Sequence, residues 1–411
     1  MTRMITSPGS ELLRTLAALI AGRISVEALS PPSHGSETAG YWAELARAAT
    51  AHGLGPLLLW RVQQAGTRPV PAGAGLGWDW TGTGDSDLLA TLAEERNRAA
   101  VHFMLADVAQ AQVQAAMDAA GIECVWLKGI VLARTVYPAP ELRPMVDVDL
   151  LVPYAQREQA LVVMQSLGYV QELPLLFDGT EDLKHHYHLA SKTLRPLKLE
   201  LHFRLLGAFD RILTVEQLGW FWHHTIDMDR AGSACRALGP EAHLLYLCGH
   251  ALLQHGEADL RLLRFYDLHC LVSQTPDLDW DLVVDGAARL RWTYAAERAL
   301  TLAREYFGTP LPEDLPAWLA ANRPPQEKVT HVTRRQMART TSEIVAHDLA
   351  AMGWQDRTRT LARIVAPPPS YMRQRYRLDN DRQLPAAYLR RWSRMAANAV
   401  STVRRKAQGS S

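Results

Sequence analysis

Residues 126–152, WLKGIVLARTVYPAPELRPMVDVDLLV, contain the pattern that decides the fold. The run ends in MVDVDLLV, where polar and apolar residues alternate as in a β-strand with one buried face. Residues two apart in a strand point to the same side, so we expect Asp147 and Asp149 to project together. Two adjacent carboxylates repel each other unless a cation joins them. The pair therefore predicts a metal site.

A second alternating run, LKLELHFRL at residues 197–205, carries the next carboxylate. Lys198, Glu200 and His202 share its polar face, and leucines and a phenylalanine form the other. If this strand lies beside the first, Glu200 joins the aspartates. Three carboxylates with room for phosphates are the ligands that hard divalent cations prefer, which predicts Mg²⁺ or Mn²⁺.

Lys128 and Gly129 lie where the short β-prone run IECVWL gives way to a helix-like segment. A glycine there allows close backbone approach, and free N–H groups at a helix start attract anions. Lys128 adds a charge suited to a triphosphate. Arg143, in the loop before the aspartates, is expected to clamp a second phosphate through its fork of donors.

Histidines surround the Glu200 strand. His185, His186 and His188 precede it, and a metal site made of imidazoles is the less favoured interpretation because the acidic set already explains a hard-metal site. We expect His188 or His202 to contact phosphate, orient the acceptor or act as general base. His250 lies on an apolar helix and is interpreted as a core residue.

The periodicity divides the chain into four segments and indicates an α+β fold with a mixed sheet. Residues 88–120 and several stretches after residue 239, among them 285–306, have helical periodicity. The expected segments are an N-terminal helical region with a Gly/Pro-rich linker (1–85), a sheet-containing core (86–235), a C-terminal helical domain (236–365) and a basic helical tail (366–411).

Composition limits the partners and the compartment. The net charge of +1 makes duplex nucleic acid the least attractive partner, and no apolar run is long enough to span a bilayer. The four cysteines lie far apart without a CxxC pair, which argues against a zinc site or a disulfide framework. These features favour the cytoplasm.

The quoted run, followed by HHYHL and LKLELHF, resembles the uncharacterised nucleotidyltransferases of the polymerase-β superfamily, over roughly residues 88–275. The resemblance implies a polymerase-β-type core between helical regions. It implies that Asp147, Asp149 and Glu200 bind the metal, and that Lys128-Gly129 replaces the superfamily's Gly-Ser turn. Arg264 and Asp267 match an Arg and an Asp that recur in the family's helical portion, although residues three apart can also form a surface ion pair.

The resemblance implies transfer of a nucleotidyl group from an NTP to an acceptor hydroxyl or phosphate, with release of pyrophosphate. The acceptor is expected to be a peptide or a small molecule, because the family resembles enzymes that tailor peptide natural products. Two alternatives stay open. One is a DxD-dependent glycosyltransferase that uses a sugar nucleotide, although the region before the DxD looks helical; the other is a non-catalytic nucleotide-binding scaffold.

Overall fold

A mixed seven-stranded sheet holds the middle of the chain, in the order β3-β4-β5-β2-β1-β7-β6. The pairs β2/β5 and β1/β7 are parallel and the other neighbours are antiparallel. The strands are β1 (Val125–Leu127), β2 (Asp147–Leu151), β3 (Tyr169–Gln171), β4 (His186–Ser191), β5 (Lys198–His202), β6 (Thr225–Arg230) and β7 (Ser233–Leu238).

Helices precede, interrupt and follow this sheet. The computed structural model describes residues 8–26, 35–66, 85–172, 185–206, 215–230, 233–324, 346, 349–350 and 353–408. Up to the end of the sheet the α-helices are α1 (Pro8–Ile20), α2 (Gly35–Ala51), α3 (Gly55–Gly66), α4 (Asp85–Ala119), α5 (Lys128–Thr135), α6 (Arg157–Ser166) and α7 (Val215–His223). After it come α8 (Pro240–Gly249), a π-helix (His250–His255), α9 (Leu262–Gln274), α10 (Trp280–Leu290), α11 (Thr293–Phe307), α12 (Leu315–Ala321), α13 (Trp354–Val365), α14 (Pro369–Tyr376) and α15 (Leu384–Gln408).

The two faces of the sheet contact different hydrophobic cores because side chains alternate along each strand. Val148 and Leu150 of β2 belong to one core together with α4 and α6. Leu127 and Leu151 belong to the other, which joins α1–α3 to α8–α12. Asp147 and Asp149 are four and two residues before Leu151, so their side chains point to the same face as Leu151. The C-terminal helices cover this face.

The α+β fold class is confirmed, and so are the helices expected before the sheet. Helix α4 ends two residues before Gly121, whose φ of +67° suits a helix end. Most of the Gly/Pro-rich linker, residues 67–84, lies outside the described residues. Before Asp147 the described chain contains one strand, β1, so the extended α/β unit that a glycosyltransferase needs is absent from that part.

Several elements differ from the sequence-based expectation. The helical pattern at 285–306 is two helices, α10 and α11, separated by Arg291 in the left-handed conformation. The strand β4 and the hairpin β6–β7 were not expected. The sheet continues to residue 238, so the expected boundary after residue 235 falls inside β7.

Helices α14 and α15 form a small cluster of their own, centred on Tyr371, Met372 and Ala387. It is separate from the two cores that contact the sheet. Within the described residues no helix has the length and apolar character needed to cross a membrane.

Candidate functional site

The pairing of β2 with β5 brings the carboxylates together. Asp149 lies directly opposite Glu200, and Asp147 lies opposite Lys198. Asp147, Asp149 and Glu200 therefore share one face of two neighbouring strands. Asp149 is only 3% exposed, so its charge needs compensation from partners in the protein.

Asp149 receives that compensation from two buried cations. Lys128 Nζ lies 2.6 Å from Asp149 Oδ1, and His202 Nε2 lies 2.9 Å from the same oxygen. Burial alone would lower the pKa of Lys128 and of His202, but their carboxylate partners more than offset this effect. The pKa of Lys128 is raised, and hydrogen bonds to Asp149 and Glu200 raise the pKa of His202 to about 9. His202 is thus protonated at neutral pH.

Asp147 is less well compensated. Burial, followed by repulsion from Asp149 and Glu200, raises its pKa to about 6. A divalent cation at this face would relieve the repulsion, so the donor set fits a hard metal ion. One group whose ligand atoms lie within 4.8 Å of one another consists of Asp149, Glu200 and His202, and Asp147 lies beside it on the same strand without belonging to it.

The Lys-Gly turn begins α5 with an unusual backbone. Lys128 has φ +47°, a left-handed conformation that residues other than glycine rarely adopt. At Gly129 a Cβ atom would lie 2.4 Å from Nη1 of Arg143. The first position thus places an ammonium group against Asp149, and the second leaves room for a guanidinium.

Arg143 does not offer the open fork that we expected. Its Nε and Nη2 donate to the two oxygens of Asp267, at 3.1 and 2.9 Å. Tyr137 also donates to Asp267, at 2.7 Å. Asp267 is buried, so its interpretation as a surface ion pair with Arg264 is wrong; Arg264 instead binds Asp259 at 2.9 Å.

Strand β4 brings two further histidines to the carboxylates. His188 lies opposite Glu200, and His186 lies opposite His202. Glu200 Oε1 is 3.2 Å from His188 Nδ1 and 3.5 Å from His186 Nε2, while its Oε2 is 3.3 Å from His202 Nε2. Burial alone would raise the pKa of Glu200, but hydrogen bonds from His188 and His202 hold it well below the usual value.

A cavity of about 530 Å³ opens on this face of the sheet. It brings together every residue that the sequence singled out: Lys128, Gly129, Arg143, Asp147, Asp149, His188, Glu200, His202, Arg264 and Asp267. These residues come from strands β2, β4 and β5, from the start of α5, from the loop that carries Arg143 before β2, and from the first half of α9.

Other cavity residues were not assigned to the site from the sequence. The π-helix contributes His250, Gln254 and His255, and the approach to α9 contributes Arg261. His250 was interpreted as a core residue but lines the cavity, and burial holds its pKa well below the usual value. A π-helix changes the angle between successive side chains and is frequent at functional sites, yet an apolar run gives no local signal for one.

Comparison with models of known protein families gives a match for this chain. A family model described as "Uncharacterised nucleotidyltransferase" matches residues 38–308, about two thirds of the chain. A search among curated proteins found no match. The matched range includes all the residues that line the cavity and extends over helices on both sides of the sheet.

Proposed function

Because the chain belongs to the family of uncharacterised nucleotidyltransferases, we propose that it moves a nucleotidyl group from an NTP to an acceptor hydroxyl or phosphate. An acceptor oxygen forms a bond to the α-phosphorus while the bond to the bridging oxygen breaks, and pyrophosphate leaves. The observation that carries the proposal is the common cavity of Asp147, Asp149, Glu200 and Lys128. We further propose that the sheet is a polymerase-β-type core.

We assign Asp147, Asp149 and Glu200 as ligands of Mg²⁺ or Mn²⁺. Such a cation would neutralise the phosphates and align the attacking and leaving oxygens. Lys128 is the group nearest to them that can neutralise an incoming phosphate, since its ammonium contacts Asp149 at 2.6 Å. The backbone at Gly129 and the guanidinium of Arg264 form the neighbouring walls of the nucleotide site.

For His202 we propose a positioning role, one of those that the sequence suggested for it beside general base. It is 1% exposed, and a pKa of about 9 keeps it protonated when the cavity is free of metal. A protonated imidazole cannot remove a proton from the acceptor. We assign His202 to orienting and neutralising Asp149 and Glu200. Arg143 likewise orients Asp267 and packs over Gly129 instead of clamping a phosphate.

For the acceptor we propose a peptide or a small molecule, as in the tailoring of a peptide natural product. The net charge of +1 gives the molecule no strong overall field to attract duplex nucleic acid. A reducing cytoplasm is proposed as the compartment, because Cys124, Cys235, Cys248 and Cys270 are all buried free thiols.

Calorimetric titration of the full-length protein with each NTP and Mg²⁺ tests the proposal without knowledge of the acceptor. We expect Mg²⁺-dependent binding of at least one NTP. Asp147→Asn should weaken that binding by about tenfold or more, a free-energy loss of about 1.4 kcal/mol or more. Asp227→Asn is the matched control, because Asp227 is exposed on β6 and outside the cavity.

Three outcomes would contradict the proposal. Absence of nucleotide binding would favour a scaffold, and preference for a sugar nucleotide would favour a glycosyltransferase. Equal affinity of wild type and Asp147→Asn would remove the metal assignment. Once an NTP is identified, mass spectrometry of mixtures with candidate peptides and small molecules should reveal an adduct of nucleoside monophosphate mass, and Asp149→Asn should abolish it.

A further inference from the structure

A second set of metal ligands lies on β4 and β5. His186 and His188 are two residues apart on β4, so both project to the face of the sheet that holds Glu200. The register places His188 opposite Glu200 and His186 opposite His202. Strand geometry alone therefore brings two imidazoles and a carboxylate to one point on the cavity wall.

The distances between these donors match those around a small metal ion. His186, His188 and Glu200 each offer one ligand atom, and the three atoms lie within 4.8 Å of one another. The Glu200 Oε1 contacts to the two rings are 3.2 and 3.5 Å. Two ligands held at about 2.0–2.1 Å from a tetrahedral ion are separated by roughly 3.4 Å. Metal binding thus requires only small side-chain adjustments.

The two oxygens of Glu200 face different partners. Oε2 lies 3.3 Å from His202, which is bound to Asp149, whereas Oε1 faces His186 and His188. One carboxylate can therefore serve the aspartate side and the imidazole side at the same time. The two sides share Glu200 but differ in ligand chemistry, since carboxylates suit Mg²⁺ and imidazoles suit zinc, cobalt or iron.

His186 points its Nε2 at the other two ligands, 2.9 Å from His188 Nε2 and 3.5 Å from Glu200 Oε1. Its side chain is 11% exposed, and its buried Nδ1 has no hydrogen-bond partner among the described residues. A buried polar atom without a partner costs free energy, so hydrogen bonds at Nδ1 do not account for this ring, and the contacts of its Nε2 are what the arrangement provides. His188 is 46% exposed, which leaves coordination positions open toward the cavity, as in sites that bind substrate.

We propose that His186, His188 and Glu200 bind a divalent transition-metal ion such as Zn²⁺, at a site distinct from the Asp147–Asp149 pair. The open positions of that ion face the cavity, where they can receive an oxygen of the acceptor. The site exists whether or not the chain transfers nucleotides, because its ligands are defined without reference to the nucleotide.

Cobalt(II) provides a direct readout, since its visible absorption reports nitrogen and oxygen ligands. Tag-free, full-length protein is titrated with Co²⁺ in excess Mg²⁺, which occupies sites that prefer oxygen ligands. We expect one equivalent to bind with a visible spectrum. His188→Ala and His186→Gln should each weaken binding by about tenfold or more, because each removes one of three protein ligands. His223→Ala, an exposed histidine outside the cavity, should bind Co²⁺ like wild type.

Asp147→Asn separates this proposal from the proposed function. It should leave the Co²⁺ spectrum unchanged while weakening NTP binding. Unchanged Co²⁺ affinity in both His188→Ala and His186→Gln would overturn the proposed site. Full displacement of Co²⁺ by Mg²⁺, or loss of Co²⁺ binding in Asp147→Asn, would overturn it as well. Circular dichroism of each variant identifies a change that comes from misfolding.

Discussion

Asp147 lies on one sheet face with Asp149 and Glu200, and burial together with their charges raises its pKa to about 6. The unfolded chain has no such surroundings, so the ionised carboxylate disfavours folding when no metal is bound. Lys128 and His202 contact Asp149, not Asp147. At the scale of single residues, the site therefore keeps one poorly compensated charge that a cation would satisfy.

Replacing that charge should stabilise the metal-free protein. Between pH 3.8 and about 6 the folded state binds more protons at Asp147 than the unfolded state, so the free energy of unfolding falls as pH rises through this window. Asn does not titrate, so the free energy of unfolding of Asp147→Asn should not fall in this way. At pH 7 the variant should be more stable than wild type by about 1–3 kcal/mol. Urea denaturation in EDTA at pH 4 and pH 7 measures the difference.

Asp227→Asn should show neither effect, because Asp227 is exposed. If Asp147→Asn is less stable than wild type at pH 7, the ionised Asp147 stabilises the fold, and the argument from its raised pKa is wrong. Added Mg²⁺ should stabilise wild type more than Asp147→Asn, since binding to the folded state alone raises the free energy of unfolding.

At the scale of elements, the packing of α8 against the start of α11 depends on one glycine. Gly249, the last residue of α8, faces Trp292, and a Cβ atom there would lie 2.8 Å from the indole ring. Trp292 is 1% exposed and packs in the larger core. The π-helix begins at the next residue, so this contact also fixes where the cavity wall starts.

Gly249→Ala should lower the free energy of unfolding by about 1–3 kcal/mol, because the added methyl group overpacks the contact with Trp292. Gly40→Ala is the matched control. Gly40 lies within α2 with nothing within 4 Å of its Cβ position, so alanine should stabilise that helix by up to about 1 kcal/mol. Thermal and urea unfolding give both values, and equal shifts for the two variants would contradict the packing argument.

The parts of the site that could be predicted depend on local alternation. Asp147, Asp149 and Glu200 were placed on one face because strand period two is visible in MVDVDLLV and LKLELHF. The same period was present at residues 186–191, where Tyr187 and Leu189 are buried and the residues beside them are less buried. The sequence analysis named the three histidines as a group before the Glu200 strand and assigned no strand to them, so β4 was not expected.

Other contacts had no local signal. The pairing of Arg143 with Asp267 joins residues 124 positions apart in the chain, and charge spacing along a helix suggested Arg264 instead. The π-helix follows the apolar run of α8 without a local signal at its start, so its effect on His250 and His255 follows from tertiary packing. Residues that meet only after folding cannot be paired from their spacing alone.

At the scale of the whole molecule, one hydrophobic core joins helices from before and after the sheet to the sheet itself. It includes Leu16 and Leu57 before the sheet and Leu300 and Leu319 after it. The segments that the sequence separated into N-terminal and C-terminal helical regions thus share their buried surface. The cluster of α14 and α15 stays apart from this core.

A chain ending at residue 324 should therefore retain the sheet, the cavity and its NTP affinity. Its thermal midpoint should lie within a few degrees of the full-length value, because the two clusters share no buried residues. A chain ending at residue 290 is the control. It lacks α11 and α12, which contribute to the main core, and should fail to unfold cooperatively. Lost NTP affinity in the longer chain would assign the tail a part in the site.

The opposite orientation of neighbouring residues in β2 and β5 restricts how this chain can vary. Inserting or deleting one residue in either strand would turn its carboxylates into the core beside α4 and α6 and direct its leucines into the cavity. Substitutions at single positions change one side chain, whereas a change in length exchanges the two faces at once. Relatives that keep the chemistry should therefore differ in the composition of these strands but not in the spacing of Asp147 and Asp149 or in the register that sets Glu200 opposite Asp149.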